Sequence, residues 1–261
     1  MIKSSYALDG FTYRARNTLL GGESLGESSD YEGCCCEGSC GDTINAAICS
    51  CLAERGQAYR IDKPGCLDVT FPESSPIFEC NINCSCSLEC FNRVVGKGIT
   101  RPFTVVETEG KGFALVSDNA IEKGQFVMEY AGEIIRADEA RRRWAIQREM
   151  KLPNYIICVK EHTNSKTYRT NIDPSKFGNA ARFINHSCSP NLYFRTVRVN
   201  SLVPSAALFA GRDIEAGEEL SFDYGDAMGL VEEETDDRGD RIRCLCGSSN
   251  CRGVLPFDQT L

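Results

Sequence analysis

Two stretches decide how this chain is read: Arg182-Phe183-Ile184-Asn185-His186-Ser187-Cys188-Ser189-Pro190-Asn191 and Glu219-Leu220-Ser221-Phe222-Asp223-Tyr224-Gly225. The first places an asparagine, a histidine and a cysteine within four residues. His186 is one of two histidines, and the other, His162, lies in a polar stretch and receives no assignment. Taken alone, such a histidine defaults to a buried structural role, and a tyrosine in an apolar strand to packing. Cys188 gains meaning from the far end of the chain. Cys244, Cys246 and Cys251, spaced C-x-C-x4-C, offer three thiolates, and a tetrahedral structural zinc site wants a fourth ligand. Cys188 is the natural candidate, which would clip the tail onto the middle of the chain; a water or a local side chain is the competing fourth ligand.

Working outward, eleven of the sixteen cysteines lie between Cys34 and Cys90, and none between Phe91 and Ile157. The first block reads Cys34-x-Cys36-x3-Cys40-x8-Cys49-x-Cys51, and the second Cys80-x3-Cys84-x-Cys86-x3-Cys90. Two cysteines spaced C-x-C do not readily form a disulfide with each other, but their thiolates can ligate neighbouring metal ions. Six terminal and three shared sulfurs supply the twelve bonds that three tetrahedral ions need. Such a trinuclear cluster would replace the apolar core that this segment lacks, and metal binding would supply its folding energy. Cys35 makes the register ambiguous, because it could stand in for either neighbour. Cys66 is left over, and Cys158, in an apolar strand, reads as a small buried hydrophobe.

The remaining composition is that of an ordinary globular protein: 261 residues, 42% hydrophobic and 25% charged. Net charge is −8, which disfavours nucleic acid as the primary partner and suits a basic one. The first 22 residues contain no apolar h-region of a signal peptide, and no apolar run reaches the ~20 residues of a membrane helix. A soluble, intracellular protein with no membrane partner is therefore expected.

Residues 1–33, Gly/Ser-rich and acidic, read as an irregular arm, and 34–95 as the zinc module. From Phe103 the texture changes to short strands: 103–106, 113–116, 126–130, 155–159 and 206–210, with turns at Gly110-Lys111-Gly112 and Ile121–Gly124. Ala137–Met150 is the one helix, ended by Pro153. Its Arg141-Arg142-Arg143 run reads as a solvated face balanced by Glu139 and Glu149. Residues 103–226 thus form a mainly β domain. A charged linker over 227–243 leads to a cysteine tail, 244–261.

The two opening stretches resemble the signature of the SET-domain histone-lysine methyltransferases. The nine cysteines of the two spaced blocks before the signature and C-x-C-x4-C after it match the pre-SET, SET and post-SET arrangement of the heterochromatin-type class, which acts on histone H3 lysine 9. Supporting matches are Phe78-Glu79-Cys80-Asn81, Asn92-Arg93-Val94-Val95, Glu129-Tyr130-Ala131-Gly132-Glu133, Asn154-Tyr155-Ile156-Ile157 and Leu255-Pro256-Phe257-Asp258. The resemblance implies a fold of small curled β-sheets in which the Asn185-His186 segment passes beneath a loop as a pseudoknot. It implies three zinc ions in the pre-SET module (Cys34, Cys36, Cys40, Cys49, Cys51, Cys80, Cys84, Cys86, Cys90) and one in the post-SET (Cys188, Cys244, Cys246, Cys251).

The implied activity is transfer of a methyl group from S-adenosylmethionine to lysine. By resemblance Tyr224 is the catalytic tyrosine and Tyr155 its companion. Lys111, Gly112, Phe113, Tyr155, Arg182, Asn185 and His186 bind the donor, and Leu255 and Phe257 wall the lysine channel. Phe222 occupies the product-control position, where a tyrosine stands in part of the family; phenylalanine there implies di- or trimethyl product. Ala114 replaces the second glycine of the usual Gly-x-Gly, which puts donor affinity in question. The implied partners are the H3 tail and the nucleosome, without sequence-specific DNA binding, in the nucleus on chromosomes. Alternatives are lysine 36 of H3, a non-histone lysine, or a catalytically weak module that grips histone tails.

Overall fold

The computed structural model describes residues 2–3, 10–26, 31–162, 165–225 and 242–256. Its strands are β1 (Ile2–Lys3), β2 (Thr12–Tyr13), β3 (Ile77–Phe78), β4 (Phe103–Thr108), β5 (Gly112–Ser117), β6 (Phe126–Glu129), β7 (Glu133–Ile135), β8 (Ile157–His162), β9 (Thr167–Asp173), β10 (Phe177–Gly178), β11 (Asn185–His186), β12 (Leu192–Arg198), β13 (Ser205–Ala210) and β14 (Ser221–Phe222). Helices are α1 (Thr43–Ile48), α2 (Ser50–Arg55) and α3 (Ala137–Glu149). The strands divide among small sheets ordered β1-β4-β5, β3-β12-β13-β6 and β7-β9-β8, with two-stranded pairs β2-β10 and β11-β14.

The β4–β5 hairpin forms because Phe103 and Val105 alternate into the core, while Gly110 and Gly112 turn the chain at φ 75° and 76°. The run Ala207–Ala210 is fully buried, which is why β13 sits in the centre of its sheet, paired with both β12 and β6. β11 pairs in parallel with β14, Asn185 opposite Ser221 and His186 opposite Phe222. Ser187 N donates to Phe222 O at 3.1 Å and Ser221 N to Asn191 Oδ1 at 2.8 Å. The two stretches that opened the sequence reading are thus one structural unit.

Two large hydrophobic clusters dominate the described residues, beside a small one of Ile135, Ala140 and Ile156. One gathers Val105, Leu115, Met128, Ile172, Leu208 and Phe222. The other joins the cysteine block to Tyr59, Ile77, Phe126, Val197 and Phe209, so the metal-binding segment shares a core with the β-domain. A buried carboxylate locks that junction: Glu79 accepts from Tyr59 Oη at 2.7 Å, from Val94 N and Val95 N at 3.1 and 2.6 Å, and from Gly96 N at 2.8 Å.

Several expectations are refined. The arm is not irregular throughout, because β1 adds to β4 and β2 to β10. The strand expected from Tyr155 starts at Ile157, leaving Tyr155 in an irregular segment. α1 and α2 lie inside the cysteine block, where each is only six residues long and gives no helical period to read. α3 matches the expected helix to within a residue. Its arginines do not all face solvent: Arg143 is 15% exposed and bonds Glu133 at 2.6 Å, Asp173 at 2.7 Å and Glu139 at 2.8 Å. Glu133 and Asp173 are themselves almost fully buried, so Arg143→Ala would strand two interior charges. We expect it to cost about 3 kcal/mol, read as a lower urea midpoint than wild type, whereas Arg142→Ala, on the exposed face, changes little. The linker over 227–243 falls almost entirely outside the described residues. No helix among the described residues is long and apolar enough to cross a membrane.

Candidate active site

Nine cysteine sulfurs converge in the first module. Within each of three groups the sulfurs lie no more than 4.8 Å apart: Cys34, Cys36, Cys40 and Cys49; Cys34, Cys51, Cys80 and Cys84; Cys34, Cys40, Cys80 and Cys86. Cys90 joins the last group, its sulfur accepting from Cys40 N at 3.3 Å. Cys34, Cys40 and Cys80 recur between groups, which is the position of sulfurs shared between ions. Cys35 is exposed, while Cys34 and Cys36 are buried and belong to these sulfur groups. The donor set fits zinc. All ligands are soft thiols, and N–H groups of Cys34, Asn81 and Asn92 already point at sulfur, at 3.4, 3.2 and 3.4 Å. The sulfurs also compete for protons: Cys80 holds the Cys90 thiol down to about 4 and is itself driven far up by its neighbours. A divalent cation relieves that competition.

At the other end, Cys188, Cys244, Cys246 and Cys251 lie within 4.8 Å of one another. The segment docks on the residues that follow β11 and β14: Asn250 Nδ2 donates to Cys188 O at 2.9 Å, and Arg252 pairs with Asp223. The fourth donor is therefore at hand in the protein itself.

Aromatic rings form a box around Phe222. Phe222, 2% exposed, packs against Tyr224 and Phe194 at ring-centroid distances of 4.8 Å each and against Tyr130 at 5.9 Å. The Tyr224 hydroxyl donates to Ile184 O at 3.1 Å, which leaves its lone pairs available. Burial pushes its pKa well above the ordinary tyrosine value, so it is a phenol at neutral pH. Tyr130 Oη donates to Tyr155 O at 2.7 Å, pinning the segment that carries Tyr155.

His186 is almost fully buried, and burial lowers its pKa below the usual value, so the ring is neutral. Tyr224 N–H donates to its Nδ1 at 3.2 Å. The proton therefore sits on Nε2, 3.3 Å from Cys188 Sγ. The ring is fully engaged within the protein, and only its backbone remains for a ligand. Asn185 Nδ2 donates to Phe113 O at 3.1 Å and to Glu219 Oε1 at 2.9 Å, while Lys111 Nζ pairs with Glu219 at 2.7 Å. Asn185, Lys111, Gly112 and Phe113 are thereby drawn to one place, with Phe183 edge-on to Phe113 at 6.0 Å. The Arg182 guanidinium lies 4.5 Å from the Tyr155 ring, and its Nε is buried without a partner. An orphaned buried donor beside an aromatic slot fits a ligand with an anionic end.

Ala114 is fully buried in β5 with no positive φ, so its backbone conformation does not demand glycine. Leu255 is half-buried; Phe257 lies outside the described residues. Sequence reasoning assigned no role to Tyr130, Phe194 or Glu219. Tyr130 and Glu219 stood inside stretches already singled out, but Phe194, in a strand with mixed polar and apolar residues, gave no signal.

The SET domain family model matches residues 112–225 and the Pre-SET motif model residues 1–93. Histone-lysine N-methyltransferase SETMAR of Homo sapiens is 44% identical over 82% of this chain, which spans 32% of that protein's length. The probable histone-lysine N-methyltransferase set-23 of Caenorhabditis briggsae is 37% identical over 94% of this chain and 97% of its own. The crystal structure of the human SETMAR methyltransferase domain superposes with a TM-score of 0.78 at 38% identity, covering 98% of this chain and 93% of that one. KRYPTONITE in complex with mCHH DNA, H3(1-15) peptide and S-adenosylhomocysteine superposes at 0.71 with 30% identity, over 95% of this chain and 48% of that one. With its mainly β fold, aromatic box and two thiolate clusters that can hold zinc, this chain belongs to the SET-domain histone-lysine N-methyltransferase family.

Proposed function

We propose that the protein transfers methyl groups from S-adenosylmethionine to lysine 9 of histone H3, ending in di- or trimethyl product. The observation that carries this reading is the Tyr224 hydroxyl, held by Ile184 O within an aromatic box beside Asn185 and Arg182. The donor supplies an electrophilic methyl on a sulfonium. The protein must align the amine with it, keep the amine uncharged and exclude water. Tyr224, donating to Ile184, offers an oxygen lone pair to an amine N–H and so aims the nitrogen lone pair at the methyl carbon. As a phenol it orients without removing the proton. The apolar walls of Phe222, Phe194 and Tyr130 disfavour the ammonium form, lowering a lysine pKa from its usual ~10.4.

Lys111, Gly112, Phe113, Tyr155, Arg182, Asn185 and the His186 backbone would hold the donor. Leu255 and Phe257 would close the lysine channel once the tail is folded on zinc, three ions sitting in the first module and one in the second. The net charge of −8 suits a basic tail. KRYPTONITE is crystallised with an H3(1-15) peptide, which spans the proposed lysine. The expected setting is the nucleosome, in the nucleus. Incubation with labelled donor and recombinant histones, followed by mapping of the modified residue, tests the reading; label absent from H3 would overturn it.

Phe222 controls the product in this scheme, because its ring fills the box without a hydroxyl to hold water. Phe222→Tyr is expected to shift the product towards monomethyl, by roughly tenfold in the later-step rates, an effect of about 1.4 kcal/mol. Mass spectrometry of the peptide reads this out. A wild-type enzyme that stops at monomethyl would contradict it.

A further inference from the structure

The amino-terminal arm meets the site at one residue. The Arg182 guanidinium lies 4.7 Å from the ring of Phe11 and 4.5 Å from the ring of Tyr155, with Phe183 at 5.6 Å. Phe11 comes from a segment far from the SET signature in sequence, yet it is held firmly. Thr12 N donates to Lys176 O and Arg14 N to Gly178 O, both at 2.7 Å, so β2 runs beside β10. That strand leads directly into the turn Ala180–Phe183 that carries Arg182. Further along, Gly132 N donates to Asn17 Oδ1 at 3.0 Å and Thr18 N to Gly132 O at 2.9 Å. The arm is therefore pinned on both sides of the segment that follows Phe11.

Arg182 itself has few fixed partners. One Nη1–H donates to Ser175 O at 3.3 Å, a weak bond, and the buried Nε has none. What positions this guanidinium is its packing against aromatic rings. A cation beside ring faces is attracted by their quadrupoles, while its N–H groups, which lie in the guanidinium plane, remain free to bind an anion.

We infer that Phe11 is a positioning residue for the methyl donor: the arm presses its ring against Arg182, holding the guanidinium against Tyr155 so that its unspent N–H donors meet the donor's amino-acid carboxylate. This rests on the reading of the site as an S-adenosylmethionine pocket. Tyr155 is the residue that touches the ligand on one side of the arginine; Phe11 acts through Arg182 from the other. The arm thereby becomes part of the active centre.

The test is calorimetric titration of the zinc-loaded full chain with S-adenosylhomocysteine, paired with steady-state kinetics. Phe11→Ala should weaken binding about fivefold and raise the donor KM to match, with kcat and the KM for the histone peptide changed less than about twofold. Phe11→Tyr, which keeps the ring face, should restore wild-type binding, whereas Phe11→Leu, which keeps bulk without a ring, should not. In the Arg182→Lys background the Phe11→Ala effect should disappear, since the planar cation is gone. Thermal unfolding of each variant separates a folding defect from a binding one. Restoration by leucine equal to that by tyrosine, or a persisting effect in the lysine background, would reduce Phe11 to packing. Unchanged binding in Phe11→Ala would overturn the inference while leaving the donor site intact. A wild-type chain that binds no S-adenosylhomocysteine would instead overturn the donor-site reading itself.

Discussion

Tyr224→Phe is expected to lower kcat for methyl transfer by about a hundredfold or more, with donor affinity held within about twofold. The substitution removes one oxygen and nothing else. The ring keeps its contacts with Phe222 and His186, both within ordinary stacking distance. The Ile184 carbonyl loses its 3.1 Å donor, a penalty of about 1–3 kcal/mol in stability. What is lost chemically is the acceptor that aims the amine. Because the interaction strengthens only as the nitrogen approaches the methyl carbon, the loss appears in kcat rather than in substrate KM. Single-turnover kinetics with saturating donor would show it. A Tyr224→Phe enzyme with near-normal turnover would remove the central residue of the proposed mechanism.

Removal of the metal ions should have the second large effect, and a different one at each end of the chain. Structural zinc sites contribute about 10–16 kcal/mol to the folding of small modules. The first module shares its core with β12, β13 and β6 through Val197, Phe209 and Phe126. Stripping its ions with a strong chelator is therefore expected to unfold residues 34–95 and to destabilise the sheet they lean on. Cys80→Ser should do the same, because that sulfur belongs to more than one group. Cys251→Ser touches only the tail site. It should release only the tail-site ion by elemental analysis, leave the fluorescence of the single tryptophan, Trp144, unchanged, and abolish methyl transfer. Full activity in the Cys251→Ser protein would show that the tail does not complete the site.

Much of this was written in local pattern. The hairpin at 103–117 and helix α3 follow from alternation and from helix-forming composition, and the structure places them close to where the sequence did. The cysteine spacing announced metal chemistry because few other constraints require so many thiols so close together. β9 and β12 escaped because Thr167–Asp173 and Leu192–Arg198 interleave charged residues at positions that tertiary ion pairs satisfy, as Arg198 does with Glu161. The arm escaped because two-residue strands carry no period at all.

By itself, then, the sequence determined the kinds of groups available: thiols in number, a histidine beside an asparagine, a tyrosine two residues beyond a phenylalanine, and a surplus of acid. Tertiary structure alone decided their meeting. Cys34, Cys40 and Cys80 recur among the sulfur groups, Cys35 is left outside, Glu219 ties Lys111 to Asn185, and Phe11 reaches Arg182 across the chain. The reason is physical. Identity and spacing are local properties of a polymer, whereas the distance between side chains remote in sequence is set by how buried surfaces pack.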